Sequence, residues 1–428
     1  MKPYDFEVWY ETYFGNIPQI SFEQFVEVAT VENKKSLVEH FKEANERSLK
    51  KDGSEDFRWV EQDRILELLY DVTILNRKAT LYEWFMDHIN IPEVDKYIQF
   101  EIEKDTDKML KDDDGFTVIN GKHKNNVNRF IKNVYPFEIY NTTKIYREPT
   151  FVILDKWFNH NNLLHLLVGP MFLKALSRPN KTRTDWHDIY AILRGVTDSA
   201  SLFNPHLAGW IIQNIYKGKK LLTPVMGWSA YMIGFLNTDW EEYVGIDVIP
   251  EVIENSKKIW DYREGLNQTD FLFGGDEKKL KLFCTPSEQM DKEHNFSDNY
   301  KDYFDGIFFS PPYFDLEKYE SYKGLENTEQ SIANFETYDE WLKGYWEPTV
   351  AMASRVMNPH GNFGFVISNY KDKKEGVRTI SEDMHQICLK YFKLEKQYKI
   401  QWSNFTKRSK KSDDGNYEDF WFYKSKKV

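Results

Sequence analysis

The sequence predicts an α/β protein: a doubly wound, Rossmann-like sheet in the C-terminal half, preceded by a mainly helical N-terminal region. Three observations carry this. From residue 199 onward, short β-branched and aromatic runs alternate with helix-like segments, which is the signature of βαβ units and a parallel sheet. Before that point apolar residues recur at three-and-four spacing, as in "KKSLVEHFKEANERSLKK" and "EQDRILELLYDVTILNRKATLYEWFMDHI". The length of 428 residues, with 41% hydrophobic and 16% aromatic content, is enough for more than one sizeable core. The chain therefore divides into a helical region, 1–198, and a sheet-bearing domain, 199–428.

Taken in order, "KDGSED" reads as a loop between helices, and "KDDDGF" at 111–116 as an acidic turn that lacks the ligand pattern of a calcium loop. Five runs then read as parallel strands: "KKLLTPVM", "EEYVGIDV", "KLKLFCT", "YFDGIFFS" and "GNFGFVIS". The last two, "EKQYKIQWSN" and "EDFWFYKS", joined by the polar "FTKRSKKSDDGNY", are expected to pair antiparallel and to close the sheet's edge. The aromatic stripe from Tyr338 to Trp346 is expected to pack inside a helix layer.

Composition excludes several classes. The apolar runs fall short of the ~20 residues that span a bilayer, and "MKPYDFEVWYE" is unlike a signal peptide, so the protein is expected in the cytoplasm with no membrane partner. Cys284 and Cys388 have no paired spacing, which rules out a disulfide framework or a zinc ribbon. A net charge of -11 argues against coating nucleic acid by bulk electrostatics. Basic stretches do occur ("KTRTDWH", "YKGKK", "KDKKEGVR", "TKRSKKS"), and each alone reads as a solvated surface. No metal is expected. His160 and His165 are spaced off one helical face, and His385 with Cys388 lacks further ligands, so both pairs are read as structural.

Doubly wound sheets bind ligands at the C-terminal ends of their strands. The first such end here carries Gly227 ahead of an apolar helix, where a glycine lets backbone approach a ligand closely. Asp247 closes the second strand 20 residues later (247 minus 227), the interval at which an acid reaches a ribose hydroxyl in nucleotide-binding sheets. The third end offers Thr285 and Ser287, and the fourth is "SPPYF". Each has an ordinary structural reading too: Gly227 as a turn residue, Asp247 as a helix cap, the proline pair as a strand stop. Four ligand-competent ends in succession favour function.

The chain from about 199 to 428 resembles the amino-group DNA methyltransferases, on the strength of "SPPY" after the strand "YFDGIFF", followed by "TYDEWLKGYWEP" and "MNPHGNFGFVIS". "SLFNPHLAGWIIQNIY" resembles the segment that precedes their first cofactor motif. The resemblance implies a class I methyltransferase sheet, S-adenosylmethionine as cofactor, and DNA as partner, with RNA left open. It implies cofactor contacts from Phe203, from Thr223, Pro224, Met226, Gly227 and Ser229, from Asp247 and Val248, and from Thr285 and Ser287. It implies a base cradle of Ser310, Pro311, Pro312 and Tyr313, with Phe314 widening the stacking face for a flipped base.

The chemistry accounts for these residue types. An exocyclic amine is a poor nucleophile because its lone pair is delocalised into the ring, so the site must accept its N–H bonds while aiming it at the methyl donor. Ser310 Oγ and the Pro311 carbonyl are the expected acceptors, in a stiff segment without competing donors. No Pro-Cys pair occurs, so ring-carbon methylation is not expected. In this family serine at the motif's first position accompanies cytosine N4 and Asp or Asn adenine N6, so cytosine is preferred and adenine is the alternative. Two departures stand out: Thr223 occupies the usual acidic position and Ser229 the second glycine of the first motif. A charge-assisted bond of ~1.5–3 kcal/mol is then missing unless Asp239 or another carboxylate supplies it. These departures also motivate a third reading, a catalytically silent nucleic-acid-binding or assembly subunit. The stretch between "CTPSEQM" and "YFDGIFF" is too short for a target-recognition insert, which leaves residues 1–198 for that task by elimination.

Overall fold

The computed structural model describes residues 5–15, 19–28, 67, 70–88, 95–113, 115–121, 127–140, 142–144, 199–269, 278–319, 334–372, 376–402 and 417–427. His160, His165, "KKSLVEHFKEANERSLKK", "KTRTDWH" and "TKRSKKS" lie outside them.

Leu110–Asp113 (β1) and Phe116–Asn120 (β2) form a hairpin across the acidic turn, with Gly115 at φ +84°. Thr143–Lys144 (β3) pairs with a short later strand. Then come Lys220–Thr223 (β4), Glu242–Asp247 (β5), Lys279–Cys284 (β6) and Phe304–Phe309 (β7). Glu317–Lys318 (β8) is the partner of β3. Met357–Ile367 (β9) is followed by the small hairpin Tyr370–Asp372 (β10) and Gly376–Arg378 (β11), and by Phe392–Gln401 (β12) and Tyr417–Ser425 (β13).

Nine of these strands share one sheet in the order β1-β2-β12-β13-β9-β7-β4-β5-β6. The ladders β6/β5, β5/β4, β4/β7 and β7/β9 are all parallel, and β13 runs antiparallel to both β9 and β12. Later strands thus lie on both sides of β4, which makes the protein a doubly wound, Rossmann-like α/β fold with its topological switch point between β4 and β7. Period-two alternation gives the sheet two apolar faces. Leu221, Tyr243, Phe308, Val366 and Phe420 line one core layer; Leu222, Val244, Ile307, Phe309, Phe365 and Trp421 line the other. Trp341, Tyr345 and Trp346 are buried in the second layer, as the aromatic stripe predicts.

Two expectations change. The pair β12–β13 forms as expected but does not close the sheet: β2 adds on in parallel, pairing Thr117 with Tyr398 and Ile119 with Ile400, and β1 becomes the edge. The N-terminal region is therefore not helical throughout. "LKDDDGFTVIN" hides its strands because β1 is short and mostly charged, so turn chemistry dominates the local signal. Residues of 95–140, among them Ile98, Ile119, Phe130 and Val134, are fully or almost fully buried in the same core layer as β4 and β7. No described helix is long and apolar enough to cross a membrane.

Candidate active site at the C-terminal edge of the sheet

β4 ends at Thr223 because Pro224 brings no N–H to the ladder. The chain then turns through Gly227, Trp228 and Ser229 at φ +54°, +57° and +62°. Glycine is required at the first of these on two counts, the left-handed φ and the helix Ala230–Leu236 beneath it: a Cβ on Gly227 would stand 2.8 Å from the Tyr231 ring. Ser229 takes the left-handed conformation without glycine's freedom, held by its side chain. Its Oγ meets the Tyr135 hydroxyl and, at 2.7 Å, Ser256 Oγ. It is fully buried and turned toward the N-terminal segment.

The next two strand ends are knitted to this turn. Asp247 Oδ2 accepts from Met226 N at 3.2 Å and Oδ1 from Ile249 N at 3.1 Å. Thr285 N donates to the Asp247 carbonyl at 3.1 Å, and Thr285 Oγ1 lies 2.8 Å from His294 Nε2. Ser287 Oγ donates to the Pro224 carbonyl at 2.6 Å. Cys284 Sγ reaches toward the Val248 carbonyl at 3.9 Å. Asp247 is only 8% exposed, and burial pushes its carboxyl up to about 6 against the opposing pull of the amides it accepts from. Thr223 Oγ1 is buried without a hydrogen bond, although the Tyr243 hydroxyl stands close to it.

β7 delivers the fourth end. Its register with β4, Leu222 opposite Ile307, sets Ser310 beside the turn after Thr223. Ser310 Oγ donates to the Val366 carbonyl at 2.9 Å, which leaves its lone pairs available. Pro311 is buried and Pro312 half-buried. The Tyr313 hydroxyl lies 3.0 Å from Ser368 Oγ and accepts from Ser368 N at 3.2 Å; its ring meets Tyr370 edge-on at 5.6 Å. Below, the Tyr231 hydroxyl faces Ser310 without closing a hydrogen bond. Phe203 stacks on Tyr231 at 5.0 Å and meets Phe308 edge-on at 5.8 Å.

The sequence-predicted residues thus gather along one edge, with three exceptions. Ser229 points into the core rather than over the turn. Phe314 packs between Tyr338 and Trp341, under the Arg378 guanidinium 5.5 Å away, so it supports the segment instead of widening an open stacking face. Asp239 cannot stand in for the missing acid: it precedes the start of β5, at the opposite edge, and exchanges bonds with Gln213. The structure adds Tyr135, Tyr231 and Ser368, which sequence reasoning missed because each arrives from a different element. It also adds buried Glu317, which accepts from Ser201 Oγ at 2.8 Å and from the Tyr319 hydroxyl at 2.6 Å and so pins the segment after the motif to the one before β4.

Fold and site together define a doubly wound α/β protein with a polar site at its switch point. No protein-family model matches the chain, and no curated protein matches it. Among solved structures it is similar to a Pyrococcus horikoshii protein at 15% identity, covering 50% of this chain and 85% of that one with a TM-score of 0.29. It is similar to a TehB-like SAM-dependent methyltransferase from Corynebacterium glutamicum at 14% identity, covering 51% and 87%, TM-score 0.29. A third is TrmN from Thermus thermophilus, at 10% identity and TM-score 0.32, covering 52% of this chain and 49% of that one. Likeness at this level says nothing of substrate or partner; the fold assignment rests on the sheet's own order and strand directions.

Proposed function

We propose that this protein transfers a methyl group from S-adenosylmethionine to an exocyclic amine of a nucleic-acid base, with cytosine N4 in DNA the preferred target and adenine N6 the alternative. One observation carries the reading: Ser310, Pro311 and Tyr313 leave β7 directly beside the glycine turn of β4, across the switch point. An amine donor cradled by the one then lies next to a ligand held by the other.

The residues suit such a cofactor. Asp247 spends two lone pairs on Met226 N and Ile249 N, and a carboxylate has about four, so two remain for a ribose diol. Thr223 Oγ1, buried close to the Tyr243 hydroxyl without a completed hydrogen bond, stands at the place where the family carries an acid. A neutral hydroxyl there holds an ammonium group more weakly than a carboxylate does. The cofactor supplies an electrophilic methyl carbon on a sulfonium. The chain's own part is to bind it, to accept the target amine's N–H bonds at Ser310 Oγ and the Pro311 carbonyl, and to stack the base on Tyr313.

The deciding experiment is nucleoside mass spectrometry on DNA and RNA from cells expressing the protein, paired with calorimetry against S-adenosylmethionine. We expect N4-methylcytosine in DNA and saturable cofactor binding. Methyl on adenine alone overturns the cytosine preference, and no binding at millimolar cofactor overturns the enzyme reading in favour of a silent scaffold.

A further inference from the structure

The segment that leaves the motif returns to the glycine turn. Phe314 is buried in one core layer while Tyr319 packs against the other, so residues 314–319 cross the C-terminal edge of the sheet from face to face. The crossing is tied down along its length. Asp315 accepts from the Tyr370 hydroxyl, and Glu317–Lys318 pairs antiparallel with Thr143–Lys144. Glu317 uses one carboxylate oxygen to accept from Ser201 N at 3.3 Å and Ser201 Oγ at 2.8 Å, and the other to accept from the Tyr319 hydroxyl at 2.6 Å. The ring so oriented meets the Trp228 ring edge-on, with centroids 5.6 Å apart. Trp228 needs such holding. A bulky residue at φ +57° is a conformational outlier that persists only where its surroundings over-determine it, and Gly227 and Ser229 on either side are left-handed too. Ser229 is held by its hydroxyl; Trp228, almost fully buried, is held by its ring, against Tyr135 at 5.7 Å and against Tyr319.

We propose that Tyr319 is a positioning residue for the cofactor: by seating the Trp228 ring it holds the glycine turn in its ligand-binding shape, and because its own segment begins at the base cradle, it makes the two halves of the site respond to each other. The proposal rests on the cofactor-binding part of the methyl-transfer reading above. Tyr319 acts through Trp228 and not on either ligand. A contact that only glued the segment to the turn would stabilise the free and the bound protein alike and leave affinity unchanged. A contact that selects the shape of the turn raises affinity for whatever the turn holds, and by linkage the occupied turn steadies the segment in return. The run from Ser310 to Tyr319 is braced at Asp315 and Glu317, so a displacement of Trp228 reaches the cradle as movement of a fixed segment instead of being absorbed by slack chain.

The test has two arms on the full-length chain. In the first, hydrogen exchange is followed by mass spectrometry in peptides covering the turn, 223–231, and the segment, 314–319, with S-adenosylhomocysteine as the probe because it occupies the site without turnover. Saturating probe should slow exchange in both regions of the wild type, and in Tyr319→Leu it should slow exchange in the turn alone. Protection of the turn with no change at 314–319 in the wild type overturns the proposal. Protection of neither region overturns the methyl-transfer reading and this inference with it. In the second arm, Kd for S-adenosylhomocysteine is measured by calorimetry, and KM and kcat for S-adenosylmethionine on sheared cellular DNA. Tyr319→Leu should raise Kd and KM about 5- to 150-fold with kcat within about twofold, whereas Tyr319→Phe, which keeps the ring, should stay near the wild type. Wild-type affinity in a folded Tyr319→Leu protein overturns the proposal, and so does a Phe variant as impaired as the Leu one, since the ring would then not be the acting group. Wild-type protein that binds the probe yet methylates no base overturns the methyl-transfer reading alone, and calorimetry still decides for Tyr319. Should Tyr319→Leu fail to fold, the wild-type exchange pattern decides alone.

Discussion

Asp247 Oδ2 accepts a hydrogen bond from Met226 N at 3.2 Å, so the acid that ends the second parallel strand holds the turn that follows the first. The same carboxylate is nearly buried and, among the described residues, forms no ion pair, which gives it a pH signature. Its carboxyl goes from 3.8 unfolded to about 6 folded. The folded state therefore binds the proton more tightly, and this group's contribution to stability falls as pH rises through that window, by roughly 3 kcal/mol in all. In Asp247→Asn the titration is absent. The stability of the wild type minus that of the variant, from urea unfolding, should therefore decline between about pH 3 and 7 by about that amount. A flat difference would show that the carboxylate is solvated. Cofactor affinity of the variant should drop about tenfold or more by calorimetry.

Ser229 and Tyr135 lie 94 residues apart and share a hydroxyl contact in the core. Ser229→Ala and Tyr135→Phe should each destabilise the protein by about 1–3 kcal/mol, because each leaves a buried hydroxyl without that partner. A double-mutant cycle should return a coupling of about 0.5–3 kcal/mol. Additive losses would mean that the N-terminal segment touches the turn without bracing it.

Gly227→Ala combines a left-handed φ of +54° with a Cβ only 2.8 Å from the Tyr231 ring. We expect a loss of about 1–3 kcal/mol in stability and a collapse of cofactor binding. Wild-type binding in a folded Gly227→Ala protein would place the cofactor elsewhere.

Ser310→Ala should lower kcat by about a hundredfold while cofactor affinity stays within twofold, because the role proposed for Ser310 is toward the target amine and not the cofactor. Tyr313→Phe keeps the ring and loses only its hydroxyl bonds to Ser368, about 1 kcal/mol. Tyr313→Ala removes the proposed stacking face and should raise KM for the proposed nucleic-acid substrate about tenfold. Equal effects of Phe and Ala would deny the ring its stacking role.

The parallel strands and their ends were legible because each announces itself locally: a β-branched or aromatic run, then proline, glycine or a capping acid. Spacing along one chain could carry that far. It could not carry Tyr135 to Ser229, or Ser368 to Tyr313, because such pairings are made by sheet order and helix packing and leave no trace in either segment alone. Phe314 was misread for a related reason. An aromatic after a motif looks the same in sequence whether its ring faces a ligand or Tyr338 and Trp341. The edge hairpin was missed since "LKDDDGF" satisfies turn chemistry so well that the short strands on either side of it go unheard.

That hairpin bears on the order of events during synthesis. β2 leaves the ribosome long before the strand it must join: Thr117 pairs with Tyr398, 281 positions later (398 minus 117). Until then Val118 and Ile119, almost wholly buried at the end, have no β12 to cover them. A ladder closed across so much chain is among the slowest contacts to form. A nascent chain stalled before residue 392 should accordingly depend on chaperones, and a fragment beginning at residue 199 should present the bare edge of β12 and self-associate.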